Sequence, residues 1–246
     1  MMKKTAVSVV VYTIKYHKQQ PCFAALEKQT CKDFELIVVD ASEGVSKARN
    51  EGIKKASCDI IAFTEADGVP APDWVEKILK HMKNEMGITG RVVHPRNDIF
   101  KTISSEFYPG DESAYVNFDV LRGGNMAFRK KVFEKVGLFD ENIIWGFNET
   151  EFGLRYVKKY KLKYCPDVIF THWYAKSLRH YLKKQFLFGQ NNLYIWHLQG
   201  LSGGEILRRT IPHHIPFTKL SFVKTLGRIF LDLGIFYSKI KQSHNL

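Results

Sequence analysis

The chain alternates short runs of β-branched and apolar residues with stretches whose apolar positions recur at helical spacing. Val7–Tyr12 is a run of the kind found in strands buried on both faces. Pro21–Gln29 follows, with Phe23, Leu26 and the alanines placed for one face of a helix. Phe34–Val39 predicts a second buried strand ending at Asp40. Val45–Ala56 predicts a helix with Ala48, Ile53 and Ala56 inward and Lys47, Lys54 and Lys55 outward. Ile60–Thr64 predicts a third strand, which runs into Glu65-Ala66-Asp67-Gly68. Asp73–Met86 reads as a helix entered through Pro70 and Pro72, residues that suit the approach to a helix but not its interior. Ile88–Val93 predicts a fourth strand.

Strands and helices in strict alternation predict an α/β domain with a largely parallel sheet. Ligands of such sheets sit beyond the carboxyl ends of the strands. Those ends carry Thr13, Asp40 and the Glu65/Asp67 pair, so three polar strand ends converge on one edge and mark a site. Farther on, His94–Leu121 is expected to be a long irregular connection, interrupted by Pro95, Pro109 and Gly110. Helices are expected at Lys130–Val136 and Glu151–Tyr160, and a short strand at Val168–Thr171 that ends at His172.

Composition narrows the class. With 246 residues, 45% of them hydrophobic, the chain can bury a full core, which excludes disorder as a description of the whole. No uninterrupted apolar run reaches the roughly 18 residues of a membrane-spanning helix. The basic start followed by VSVVVYT superficially resembles a secretory leader. That stretch is too short and lacks a small-residue cleavage site, so it is read as a strand and the protein as cytoplasmic. Cys22, Cys31, Cys58 and Cys165 are widely spread with no CxxC pair, and are expected to be reduced structural residues.

The residues VSVVVYT, FELIVVDAS, GVSKARNEGIKKA, DIIAFTEADGVPAPDW, GGNMAFRKKVFEKVGLFDE, NETEFGLR and VIFTHW, in that order from Val7 to Trp173, resemble the family 2 glycosyltransferases of the GT-A fold. The resemblance implies a Rossmann-like, mostly parallel central sheet flanked by helices. It also implies an inverting transfer of sugar from a nucleoside-diphosphate sugar (UDP- or GDP-linked) to an acceptor hydroxyl, with a divalent metal, Mn²⁺ or Mg²⁺, on the diphosphate.

Residue by residue, Asp67 matches the last position of the family's DxD motif and His172 its metal-site histidine. A carboxylate and an imidazole make a donor set suited to such an ion. Glu65 stands where the family usually has Asp; it is assigned to the nucleotide, with metal, water or ribose as the contact its carboxylate could make. Asp40 matches the nucleobase-binding position, with Thr13 and Arg49 at two further nucleotide positions; Arg49 read by itself could also be a solvated helix charge. Asn148–Glu149 aligns with the family's acidic pair, which makes Glu149 the base that takes the acceptor proton. Glu151 is the rival for that role, or else supports the helix start and meets Arg155. Gly123, Gly124 and Asn125 resemble the segment lining the donor-sugar and acceptor pocket, where glycine lets backbone approach a ligand. Trp145 offers an apolar face to a sugar ring, or fills a core.

Charge separates the C-terminal third from the rest. Thr171–Leu246 holds 11 Lys/Arg against 2 acidic residues, while the first 170 residues hold 26 against 23. Beyond Pro216, Phe222, Leu226, Ile229, Phe230, Leu233 and Phe236 recur at helical spacing among Lys219, Lys224, Arg228, Lys239 and Lys241. The pattern fits a basic amphipathic helix on an anionic membrane surface, or one packed on the catalytic domain or on a second subunit of a homodimer. Residues 1–215 are accordingly expected to form the GT-A domain and residues 216–246 a helical tail. The expected partners are a nucleotide-sugar donor, a lipid-linked or cell-surface glycan acceptor and the inner face of the cell membrane. Nucleic acid is not expected, since nothing resembles a nucleic-acid module. Two other readings are a sugar-nucleotide pyrophosphorylase, disfavoured because YTIKYH is not a Gly-rich phosphate loop, and a non-catalytic sugar-nucleotide-binding protein that keeps the fold.

Overall fold

The computed structural model describes residues 5–16, 19–106, 110–202, 205 and 218–243. Its sheet is organised around β1 (Val7–Thr13), whose alternation serves two cores at once. Val7, Val9 and Val11 pack on one face and Val10 and Tyr12 on the other. The first face is covered by α1 (Pro21–Glu27), which buries Cys22, Phe23 and Leu26. Parallel to β1 on either side lie β2 (Phe34–Asp40) and β3 (Ile60–Glu65). Between them in sequence, α2 (Val45–Lys55) turns Ala48 and Ile53 onto the second face.

After β3 the chain makes the two-residue strand β4 (Val69–Pro70) and enters α3 (Trp74–His81), which adds Trp74, Val75 and Ile78 to the first core. This helix stops well before Met86. The guanidinium of Arg129 donates to the carbonyls of Met82, Lys83 and Glu85, satisfying groups that a continued helix would have bonded internally. The strand β5 (Gly87–Val93) follows.

His94–Leu121 is more ordered than its composition suggests. It contains α4 (Ile99–Ser105), the edge strand β6 (Ala114–Val116) and a single 3₁₀ turn at Phe118–Val120. Asp98 explains the helix, because its carboxylate accepts from the backbone N–H groups of Phe100 and Lys101. Next come β7 (Met126–Arg129), α5 (Lys130–Val136), α6 (Asn148–Tyr156) and β8 (Leu162–Thr171). Here β7 is a strand the hydropathy pattern did not predict, and β8 begins six residues before Val168.

The strand order is β2-β1-β3-β7-β5-β8-β4, with β6 paired to β8. Among the described residues five of the eight strands (β1, β2, β3, β5, β8) run one way, while β4, β6 and β7 run against them. The expected largely parallel sheet with helices on both faces is therefore present, with β7 as an antiparallel insertion at its centre.

The chain divides into two compact units: residues 1–144 with 148–173, and residues 145–147 with 174–246. The sheet lies in the first. The second is built on α7 (Leu178–Leu198) and α8 (Lys219–Ser243). The boundary expected between residues 215 and 216 lies outside the described residues.

Candidate functional site

At the carboxyl end of β3 the chain must turn sharply, and β4 governs where it goes. Val69 and Pro70 pair antiparallel with Thr171 and Phe170, the last two residues of β8. That pairing brings the Glu65–Gly68 turn alongside His172. Glycine is required in the turn, because a Cβ on Gly68 would lie 1.9 Å from the Phe170 ring. The same ring stacks against the imidazole of His172, 5.8 Å between centroids and 11° between planes.

His172 Nε2 consequently lies 3.1 Å from Asp67 Oδ1 and 3.3 Å from Glu65 Oε2. One donor atom from each of the three residues falls within 4.8 Å of the others. Two carboxylates and an imidazole around one point are a donor set that fits Mn²⁺ or Mg²⁺. Asp67 is expected at the metal and Glu65 at the nucleotide or the metal; the fold puts both carboxylates on the same imidazole.

The other oxygen of Glu65 accepts from the hydroxyl of Tyr12 at 2.8 Å, and that hydroxyl accepts from Arg49 at 2.7 Å. Arg49 is 1% exposed. Its Nη1 donates to Asn148 Oδ1 at 2.8 Å and lies 3.8 Å from Glu149 Oε2, and its charge rests against the rings of Tyr12 and Phe139. Burial alone would lower the Arg49 pKa, but Tyr12, Glu149 and Glu65 together raise it, so the cation persists. Burial likewise pushes the Tyr12 hydroxyl well above its ordinary range, although Arg49 opposes it. The Nε of Arg49 and the Nδ2 of Asn148 are buried with no hydrogen-bond partner. A polar chain thus runs from His172 and Asp67 through Glu65, Tyr12 and Arg49 to Asn148 and Glu149.

One step along β1 from Tyr12, Thr13 pairs with Asp40 at the end of β2. The Thr13 hydroxyl donates to Lys15 O and accepts from Gln20 Nε2. Asp40 is exposed and accepts from the hydroxyl and the backbone N–H of Ser42, bonds that hold its carboxyl below the usual aspartate range.

Comparison with known proteins fits this edge. Residues 41–137 match the profile of the family described as Glycosyl transferase family 2. The match covers well under half of the chain, which therefore resembles glycosyltransferase family 2 over that stretch. Glycosyltransferase AglE of Haloferax volcanii is 27% identical over 191 residues, covering 69% of this chain and 57% of its own. The chain therefore spans little more than half of that relative. Among solved structures, the mannosyltransferase PcManGT of Pyrobaculum calidifontis, in complex with GDP-Man and Mn²⁺, superposes with a TM-score of 0.67 at 14% identity, covering 96% of this chain and 88% of that one. S. aureus TarS 1–349 in complex with UDP gives a TM-score of 0.55 at 14% identity, covering 79% and 69%. At that identity the likeness is one of fold, and the fold is GT-A.

Three of the sequence expectations change. Arg49 is neither a solvated charge nor exposed to a ligand. Gly123 closes over it, and a Cβ there would meet Nη2 at 2.0 Å. Gly124 backs Glu65 in the same way, with a Cβ placed 3.1 Å from its carboxyl carbon and 3.0 Å from Phe170. These glycines let the loop lie against the buried Arg49 and Phe170 and the half-buried Glu65.

Asn125 lines no pocket, being fully buried. Its Nδ2 donates to Arg91 O and Val168 O, both at 2.9 Å, and its Oδ1 accepts from Trp74 Nε1 at 2.8 Å. The reason lies in β8. Gly90 pairs with Cys165, but Arg91 pairs with Ile169, so Pro166, Asp167 and Val168 bulge out and interrupt the ladder. The Asn125 amide fills that gap, and the final residues of β8 return to register on the way to His172.

Glu149 opens α6 with one side of its carboxylate toward Arg49. Its rival Glu151 is buried and held in a two-point pair by Arg155, at 2.5 and 2.6 Å. Two left-handed residues, Gly146 (φ 72°) and Phe147 (φ 61°), precede the helix; Phe147 in that region stores about 1–3 kcal/mol. Trp145 belongs to the second unit, where its ring lies 5.6 Å from that of Phe188 and its carbonyl accepts from Asn191.

Tyr12 is the participant that sequence reasoning missed. Its signal was present: in an alternating strand it shares a face with Val10, toward the helix that carries Arg49.

Proposed function

We propose that the protein is an inverting glycosyltransferase that moves a sugar from a UDP- or GDP-sugar to an acceptor hydroxyl in a single displacement. The observation carrying this reading is the Glu65–Asp67–His172 trio at the carboxyl edge of the sheet. Its support comes from two fold neighbours in complex with GDP-Man and Mn²⁺ and with UDP, and from the match of residues 41–137 to a glycosyltransferase family.

Glu65, Asp67 and His172 would hold the divalent ion. Bound there, the ion supplies positive charge to the diphosphate as the leaving group gains negative charge. Asp40 and Thr13 offer an acceptor and a hydroxyl to the nucleoside. Glu149 takes the proton of the acceptor hydroxyl as its oxygen bonds to the anomeric carbon and the bond from that carbon to the diphosphate oxygen breaks. Arg49 and Asn148, both buried, fix the position of α6 and so of this carboxylate. The acceptor is a lipid-linked or cell-surface glycan, and the enzyme acts at the cytoplasmic face of the membrane; the basic C-terminal third supports that placement.

The test is release of nucleoside diphosphate from a panel of UDP- and GDP-sugars, with and without Mn²⁺. One donor should stand out and require the metal. Metal-independent release, or none with any donor and acceptor extract, contradicts the reading.

A further inference from the structure

The second unit carries a surface that the transfer reaction does not use. In α8 one face is sealed against α7. A Cβ on Gly189 would lie 2.0 Å from Leu231 O, one on Gly234 would lie 2.0 Å from Phe186 O, and one on Gly227 would lie 2.3 Å from the Tyr181 hydroxyl. The helices therefore meet backbone to backbone, with Val223 and Ile235 buried and Ile235 packed with Leu193 and Trp196. This face is satisfied within the unit.

The opposite face is largely exposed. Phe222, Leu226, Ile229, Leu233, Phe236 and Ile240 follow one another at steps of four and three, so they form one continuous stripe along the helix. Phe222 and Phe236 are each 62% exposed, and Ile229, Leu233 and Ile240 are exposed as well. Among the described residues no helix is long and apolar enough to cross a membrane, so the stripe has no spanning role. Two occupants suit such a stripe: a bilayer surface, or the same stripe on a second copy.

Charge decides between them. The segment from Thr171 to Leu246 carries 11 basic residues and 2 acidic ones. A second copy would bring an equal positive charge face to face with it, whereas an anionic bilayer attracts it while receiving the apolar side chains. The positions flanking the stripe also lack coiled-coil charge pairing: Val223, Phe230 and Tyr237 lie on one side, and Thr225, Asp232 and Lys239 on the other.

We infer that the Phe222–Ile240 stripe of α8 docks in the interfacial layer of an anionic phospholipid bilayer, with the helix in the membrane plane. This deepens the membrane clause of the proposed function, and its test uses no sugar nucleotide, so it fails or holds independently of the transferase reading.

The experiment is sedimentation of the full-length protein with vesicles of phosphatidylglycerol and phosphatidylcholine in equal parts, against phosphatidylcholine alone. Wild type should partition at least about tenfold better to the anionic vesicles, and high salt should erase most of that preference. Phe222→Ser with Phe236→Ser should lower partition about ten- to a hundredfold. Both side chains are exposed, so circular dichroism should be unchanged. Equal partition of wild type and variant overturns the proposal. So does a wild-type dimer, seen by analytical ultracentrifugation without lipid, that the double variant dissociates, because the stripe is then a subunit interface.

Discussion

Replacing Asn125 with leucine keeps the volume of the side chain and removes both of its donors and its acceptor. Three groups then lose their partner at once: the buried Val168 carbonyl and Trp74 indole N–H, and the part-buried Arg91 carbonyl. Water has no ready route to the Val168 carbonyl and the Trp74 indole, since Asn125 and Trp74 are completely buried and Val168 is 1% exposed. Leaving a buried donor or acceptor unsatisfied costs about 1–3 kcal/mol each. The three share one side chain and relax together, so the expected loss is about 3–6 kcal/mol rather than the largest simple sum. For a chain of this size that is a fall in Tm of about 6–24 °C. Trp74→Phe, which strands only Asn125 Oδ1, should cost about 1–2 kcal/mol. Urea unfolding followed by circular dichroism gives both values, and hydrogen exchange of the β5 and β8 amides localises them. The carbonyls involved flank the bulge at Pro166–Val168, so exchange should rise first around Ile169–Thr171, next to His172. A loss below about 1 kcal/mol for Asn125→Leu would show that the bulge holds itself, and the account of why β8 returns to register would be wrong.

Three further substitutions test contacts elsewhere in the domain. Glu149→Gln should lower kcat by about 10²–10⁴-fold while donor affinity stays within a few-fold, because the lost interaction is made in the transition state. Glu151→Gln should leave turnover near wild type and reduce stability through the Arg155 pair; an inactive Glu151→Gln beside an active Glu149→Gln would exchange the two roles. Burial would raise the Glu35 carboxyl, but hydrogen bonds from Ser8 and Ser57 outweigh it and hold the pKa below the ordinary value. A depressed folded-state pKa gives stability that is present above the unfolded glutamate value and is lost as pH falls through the folded one. Glu35→Gln should therefore flatten the acid limb of a stability–pH curve, and an unchanged limb would remove Glu35 from that linkage.

What the sequence made legible was whatever a single element determines. The runs in β1 and β3 are continuous because those strands are covered on both faces, while β2, predicted as buried, is an edge strand that exposes Leu36; the polar strand ends mark the edge where Asp67 and His172 meet. What escaped depends on contacts distant in sequence. The short strand β7 has four residues directly ahead of a helix, and only its position between β3 and β5 makes it a strand. The first half of β8 is hidden by Pro166 and Asp167, which sit in a bulge that a side chain from another segment bridges. Glycine and asparagine in Gly123-Gly124-Asn125 look the same in sequence whether they line a ligand pocket or let a loop press on Arg49, Glu65 and the sheet. Arg49 itself sits on a helix with an otherwise basic outer face, and only the closure of that loop makes it a buried cation.

The central claim is that Glu65, Asp67 and His172 hold a divalent ion on which nucleotide-sugar binding depends. Calorimetric titration of the released donor's parent UDP- or GDP-sugar into wild type and Asp67→Asn, each with and without Mn²⁺, tests it directly. The substitution keeps the shape of the side chain and removes its charge, so the fold should survive. Wild type should bind the donor much more tightly with Mn²⁺ than without, and Asp67→Asn should bind it equally weakly in both. Equal Mn²⁺ dependence in the two proteins would take Asp67 out of the metal site and contradict the account.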